Sequence, residues 1–421
     1  MHNSLMPLTT VKLYGELDSR EAYIIRDFLK RSVVGYEWVI LDGPEQLKER
    51  APVKEDDVVK LPALVLPDGV ILYDPSISEI ASKLGWLLKP QLNEYDLSIY
   101  GAGPAGLSAA VYAASEGLRT IIIEREAIGG QAGTSSLIEN YLGFPDGVSG
   151  AELAERARQQ AVKFGAEILL IRNGVKAMYF NNKLHVELID GSKVISRSNI
   201  CATGVQYRKL NISNEDRFRN LGIFYGAGAS EAPMCINYTV FVVGGGNSAG
   251  QAAIYFSAFA AKVIMVVRGS DLSSTLSSYL LSRIGKKKNI TVLFNSEITA
   301  LYGDIVLKEI EITDQKKNIS KKYAAQKVFI CIGGIPNTDW AKNTKIIRDD
   351  GGYFITGADL LINGIPAQWE LERPPFYLET SVPGSFAAGD VRHNSVKRVA
   401  SAVGEGAMAV TFVHKYLQET Y

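Results

Sequence analysis

Apolar positions along this chain change their period several times, and each change marks an element. T-V-K-L-Y-G (residues 10–15) reads as a strand. D-S-R-E-A-Y-I-I-R-D-F-L-K-R-S (18–32) follows, with Tyr23, Ile24, Phe28 and Leu29 at helical spacing behind an Asp-Ser start. Y-E-W-V-I-L-D (36–42) is a second strand. After a charged stretch (44–60), L-P-A-L-V-L-P-D-G-V-I-L-Y-D (61–74) reads as two short strands about an Asp-Gly turn. S-I-S-E-I-A-S-K-L-G-W (76–86) is a closing helix, and residues 87–96 are a linker. The pattern predicts a small α/β unit within residues 1–90.

Two longer patterns follow. Y-D-L-S-I-Y, a glycine-rich loop, a helix through Glu116 and R-T-I-I-I-E make a βαβ unit over residues 95–124. T-V-F-V-V, G-G-G-N-S-A-G, a helix and K-V-I-M-V-V-R make another over residues 239–268. Two such units roughly 140 residues apart point to two nucleotide sites. The second lies inside the first, because G-S-F-A-A-G-D-V (384–391) reads as a return to the first domain.

Composition narrows the function. The 45 basic and 45 acidic residues cancel, which argues against nucleic acid or an anionic membrane as a bulk partner. No apolar run reaches about 18 residues, so no membrane span is expected. The start, M-H-N-S-L-M-P-L-T-T-V, lacks the charged-then-apolar order of a signal peptide. The 3 cysteines, Cys201, Cys235 and Cys331, form no disulfide framework, and a reducing cytoplasm is expected. The 4 histidines have no metal-ligand spacing, so no metal is expected.

Each glycine loop has a physical reading. In Gly101-Ala102-Gly103-Pro104-Ala105-Gly106, Gly101 permits the tight turn and Gly103 lets backbone approach a pyrophosphate. Gly106 lets helix and strand pack closely. The helix N-terminus presents unpaired N–H groups to phosphate. Glu124 ends the next strand, where a carboxylate accepts from ribose hydroxyls. In the second loop Gly244, Gly246 and Ala249 have GxGxxA spacing, with Asn247 and Ser248 at the helix start. Arg268 stands where a reader of the 2′ position belongs. A cation there suits a 2′-phosphate, hence NADPH, with NADH the alternative.

The segments around these loops resemble the low-molecular-weight thioredoxin reductases, two-dinucleotide flavoproteins. Gly129-Gly130-Gln131 and Asn140 match the segment that lies against the isoalloxazine in that family. Ala202-Thr203-Gly204 matches its A-T-G turn, and Gly389-Asp390 matches the G-D whose carboxylate binds the FAD ribitol. The helix opening Arg398-Val399-Ala400 matches the one directed at the flavin pyrimidine, and Gly333 lies in the matching re-entry segment C-I-G-G-I-P-N-T. The resemblance covers roughly residues 94–418. It implies FAD, a reduced dinucleotide, a homodimer, and an α/β fold of two Rossmann-like three-layer ββα domains. The FAD domain would comprise residues 94–207 and 338–421, with the NAD(P)H domain (208–337) inserted. It further implies a rotation of the two domains about crossings near residues 208 and 337. V-K-L-Y-G…D-F-L with L-P-A-L-V-L resembles a thioredoxin or glutaredoxin fold, Pro62 matching its cis-proline.

The resemblance also exposes an absence. The family carries a Cys-x-x-Cys before its second βαβ unit, and the matching positions within Gly226–Ser230 hold no thiol. Glu231 stands near the place of the family's acidic proton donor. Cys235 is the remaining thiol, either a lone redox group or a small packed residue. The N-terminal segment reads Asp18-Ser19-Arg20-Glu21 where its own pair of thiols would be. Thiol exchange needs one sulfur to attack and another to resolve. The sequence therefore predicts hydride transfer from NAD(P)H to FAD without an internal dithiol. The acceptor stays open: a small oxidant or quinone, an outside disulfide, or a small protein docked on the N-terminal domain. A ferredoxin/flavodoxin–NADP reductase-like enzyme and an FAD/dinucleotide redox sensor are the alternatives.

Overall fold

The computed structural model describes residues 11–420 except 55, 87–88, 136, 171–173, 227–231, 363–364, 367–368 and 370. The chain divides into two compact units. Residues up to 30, 34–75 and 207–334 make one; residues 31–33, 76–206 and 335–421 make the other. The N-terminal sheet thus shares a unit with the inserted segment.

In the first unit a four-stranded sheet runs in the order Tyr36–Ile40, Val11–Gly15, Ala63–Val65, Ile71–Tyr73. The first pair is parallel and the other two are antiparallel. Gly69, at φ 85°, makes the expected Asp-Gly turn, and the Leu61–Pro62 bond is cis. Helix Arg20–Arg31 starts where Ser19 Oγ accepts the Ala22 N–H at 3.1 Å. Ala22, Ile25, Arg26, Phe28 and Leu29 are buried and Tyr23 half-buried, so Phe28 and Leu29 lie on the expected face, while Ile24 is exposed and Ile25 takes its place. A Cβ on Gly15 would lie 3.2 Å from the Ala22 methyl, so strand and helix approach closely at two small residues. Tyr23 packs its ring 5.4 Å from that of Phe224.

The inserted segment builds a parallel sheet, ordered Ile223–Tyr225, Lys327–Ile330, Thr239–Val243, Lys262–Val266, Ile290–Leu293. Its central strands are apolar on both faces, as a covered parallel sheet requires. An antiparallel sheet of Ser296–Gly303, Leu307–Asp314 and Ile319–Ala324 adjoins it.

The second unit is organised on a mixed sheet ordered Glu167–Leu169, Thr120–Ile123, Tyr95–Tyr100, Lys193–Cys201, Lys183–Leu188, Gly174–Phe180, with Ser385–Ala387 also pairing Lys193–Cys201. The return strand foreseen near residue 385 therefore joins the first βαβ sheet. Helix Val399–Thr420 packs on helix Pro104–Ser115 at very short range: a Cβ on Gly406 would lie 2.1 Å from the Ala105 carbonyl oxygen. Among the described residues no helix is long and apolar enough to cross a membrane.

Candidate functional site

Strand Tyr95–Tyr100 delivers its loop at the end of the sheet, where dinucleotide sites form. Gly101 has φ 105°, and a Cβ on it would sit 2.4 Å from the Ala202 carbonyl oxygen. A Cβ on Gly106 would lie 1.8 Å from the Gly101 oxygen. Both glycines are therefore required by the protein itself. Gly103 differs: a Cβ on it would come no nearer than 4.0 Å, to the Gly130 Cα, which leaves an open approach to the helix start. Pro104 and Ala105 begin that helix, and no side chain caps it. Its first N–H groups are thus left for an outside acceptor.

Glu124 is fixed by backbone. Its Oε2 accepts the Ala102 N–H and its Oε1 the Glu126 N–H, each at 2.7 Å. Burial pushes its carboxyl above the ordinary glutamate range. Gly130, at φ 53°, would bring a Cβ to 3.1 Å from the Gly103 Cα, so these two backbones need their bareness. Beside them Gln131 Oε1 is buried and has no hydrogen-bond partner among the described residues. Such an oxygen costs stability unless a ligand or water donates to it. Asn140 is exposed. Ala202 is held by its N–H on the Tyr100 oxygen at 2.8 Å. Thr203 and Asn337 clamp each other, Oγ1 to oxygen at 3.0 Å and Nδ2 to oxygen at 2.9 Å, and Gly204 takes φ 60°.

The Gly389–Val391 turn brings Asp390 near the same helix pair, for a Cβ on Gly389 would be 2.9 Å from the Ala105 Cβ. Burial raises the Asp390 carboxyl above its ordinary range. Arg398 and Ala400 are exposed and Val399 half-buried at the start of the last helix.

The inserted segment repeats the design. Gly244 has φ 135°, and a Cβ on it would meet the Cys331 oxygen at 2.3 Å. A Cβ on Gly246 would meet nothing within 4 Å, and Gly246 precedes helix Asn247–Phe256, again with no side-chain cap. Asn247 turns its Oδ1 to the Ser277 N–H at 2.8 Å, Ser248 is exposed, and Ala249 is fully buried. Arg268 is exposed past strand Lys262–Val266, with no ion-pair partner among the described residues. Gly333, at φ 93°, accepts the Arg208 N–H at 2.9 Å.

Residues 95–406 match the family described as pyridine nucleotide-disulphide oxidoreductase. The chain belongs to that family. The oxidoreductase is 32% identical over 335 residues to a thioredoxin reductase of Peptoclostridium acidaminophilum, covering 78% of this chain and 99% of that one. In structure it is similar to the thioredoxin reductase of Lactococcus lactis in its FR conformation, with TM-score 0.68, 27% identity, and 77% and 99% of the two chains covered. The T. acidophilum thioredoxin reductase gives TM-score 0.69 at 27% identity, covering 78% and 100%. The family match begins at residue 95, so the N-terminal sheet of the oxidoreductase lies outside it.

The three cysteines of the oxidoreductase are buried, and none is in a disulfide. Cys201 and Cys331 are pushed up to about 12 by burial, which makes them poor nucleophiles. Cys235 closes the turn Ala232–Cys235 with no exposed surface. Positions 227–230, matched above to the family dithiol, and Glu231 lie outside the described residues.

Sequence reasoning missed Glu405. Its Oε2 accepts the Gly389 N–H at 2.7 Å, and its Oε1 takes Arg392 Nη2 at 2.8 Å, so it sets the turn that carries Asp390. The signal was one acid within an otherwise apolar helix, V-A-S-A-V-G-E-G-A-M-A-V. Asn337 was also missed, because its partner Thr203 is 134 residues away.

Proposed function

We propose that this oxidoreductase takes hydride from NADPH onto FAD and passes the electrons to an acceptor without an internal dithiol. The observation that carries the reading is the pair of bare-glycine cradles, at Gly103 and Gly246, each opening onto an uncapped helix start. The orphaned Gln131 oxygen supports it as a group awaiting a ligand.

In this reading the Gly101–Gly106 loop would hold the FAD pyrophosphate. Glu124 uses lone pairs left after its two backbone bonds to accept from ribose. Gly130, Gln131, Asn140 and Ala202-Thr203-Gly204 border the ring. Gly389-Asp390 binds the ribitol, and the helix opening at Arg398, Val399 and Ala400 offers N–H groups and a positive dipole to the pyrimidine. Gly244, Gly246, Asn247, Ser248 and Ala249 cradle the second dinucleotide, Gly333 lines its approach, and Arg268 meets a 2′-phosphate. The flavin, when bound, supplies two-electron chemistry; the protein supplies binding and orientation. No side chain needs to move a proton in that step.

Cys235 acts as packing here, since a sulfur with no exposed surface meets no outside disulfide. The N-terminal sheet, an edge parallel pair followed by two antiparallel pairings, supports the thioredoxin-like reading of that segment. Relatives named thioredoxin reductase make a thioredoxin-like protein the natural acceptor class to test, alongside small oxidants. Anaerobic NADPH should bleach the visible flavin band of purified protein. Protein that stays colourless after refolding with FAD would end the proposal.

A further inference from the structure

Outside the nucleotide loops, the first unit holds a cleft where the N-terminal helix start meets the inserted segment. Leu17, Asp18, Ser19 and Tyr23 line one side; Met234, Tyr238, Gln326 and Lys327 are among those opposite. It encloses about 80 Å³, room for a group of a few heavy atoms. It sits at the beginning of strands Ile223–Tyr225 and Lys327–Ile330, whereas Gly244 follows the end of its parallel neighbour Thr239–Val243. The cleft is therefore not part of the dinucleotide loop.

Lys327 gives the cleft its chemistry. Its side chain is 10% exposed, yet its ammonium has no hydrogen-bond acceptor among the described residues. The nearest carboxylate, Asp18 Oδ1, is 3.9 Å away on a side chain 60% exposed, beyond the 2.7–2.9 Å of a charge-assisted bond. The Tyr238 ring lies 5.6 Å from Nζ. Three donors are thus unspent on a desolvated cation. Burial holds the ammonium below the ordinary lysine range, and Arg26 adds a second positive charge to its surroundings. The walls from Leu17, Tyr23 and Met234 suit a small apolar stem rather than a heavily hydrated ion.

We propose that this cleft is a binding site for a compact carboxylate, held by Lys327 and seated between the aromatic rings of Tyr23 and Tyr238. The site is independent of the hydride-transfer reading and survives its failure. It gives the N-terminal segment a ligand whose binding ties it to the inserted segment.

The test is thermal unfolding of the full-length protein as purified, with sodium acetate replacing chloride at constant ionic strength and acetamide as the neutral control. Acetate should raise the midpoint in a saturable way, and acetamide should not. Lys327→Met keeps the stem, breaks no hydrogen bond and removes a desolvated charge, so this variant folds. Its apparent acetate affinity should fall at least ten-fold. Tighter binding of acetyl-alanyl-alanine than of acetate would assign a peptide terminus as the carboxylate; weaker binding would assign a free small acid. No rise in the parent protein, an equal rise with acetamide, or an equal response in Lys327→Met overturns the proposal.

Discussion

Replacing Glu405 tests how the Asp390 turn is held. The carboxylate makes three contacts: the Gly389 N–H at 2.7 Å, Arg392 Nη2 at 2.8 Å and Arg392 Nε at 3.3 Å. The two side chains are 12% and 7% exposed, so solvent screens the pair poorly. Glu405→Ala leaves a buried guanidinium unpaired and a backbone donor unmet. Breaking such a pair from one side costs about 3–5 kcal/mol. For a unit of this size that lowers the unfolding midpoint by roughly 10 °C. Glu405→Gln keeps an acceptor for Gly389 but drops the charge, so its loss should fall between parent and alanine. The same turn carries Asp390, so flavin affinity should weaken at least ten-fold in Glu405→Ala, about 1.4 kcal/mol. The assay pairs thermal unfolding of the apoprotein with FAD titration by fluorescence quenching. A midpoint within a degree of the parent, with unchanged FAD affinity, would refute the reasoning.

Arg268→Ala should raise the KM for NADPH about ten-fold, the worth of one charged hydrogen bond, and leave that for NADH unchanged; equal effects on both would remove Arg268 from the 2′ position. Cys235→Ala should retain flavin reduction and turnover at near-parental rates while costing about 1 kcal/mol of stability; loss of turnover in a folded, yellow variant would restore a redox role to that thiol. The Cys201 and Cys331 thiols, at about 12 in the fold against 9.0 ordinarily, stay protonated in the native state where the unfolded chain ionises. Stability contributed by each is therefore intact below pH 9 and lost as pH rises toward 12, about 1.4 kcal/mol per thiol at pH 10. Urea unfolding at pH 8 and pH 10 should show a smaller loss in the Cys201→Ala/Cys331→Ala double variant, and identical losses would contradict the burial argument. Gly103→Val should fold, its site being open, yet bind FAD at least ten-fold more weakly; undiminished binding would show that no pyrophosphate approaches there.

Much of the scaffold was legible because its signals are local. Gly101, Gly106 and Gly244 announce positive φ or backbone contact within a few residues, and the strand runs around them have a plain period. Helix Arg20–Arg31 was legible as a helix, with Phe28 and Leu29 buried as expected, but not in the exchange of Ile24 for Ile25. The close approach of Ala22 to Gly15 joins residues of different elements, which periodicity does not register. The Thr203–Asn337 clamp and the Glu405–Gly389 bond join residues separated in sequence, so no window contains both partners. Likewise, Arg268 could be placed after its strand, yet its lack of an ion-pair partner among the described residues is a property of three dimensions. The unspent donors of Lys327 are the clearest case, since as the first residue of an apolar strand it reads as an ordinary solvated charge.

The central claim is that electrons stop at the flavin rather than at a sulfur pair. Anaerobic reductive titration with NADPH measures this directly. The account predicts complete bleaching at one dinucleotide per flavin, with no newly reactive thiols afterward. Uptake of two per flavin, accompanied by two fresh thiols, would contradict it.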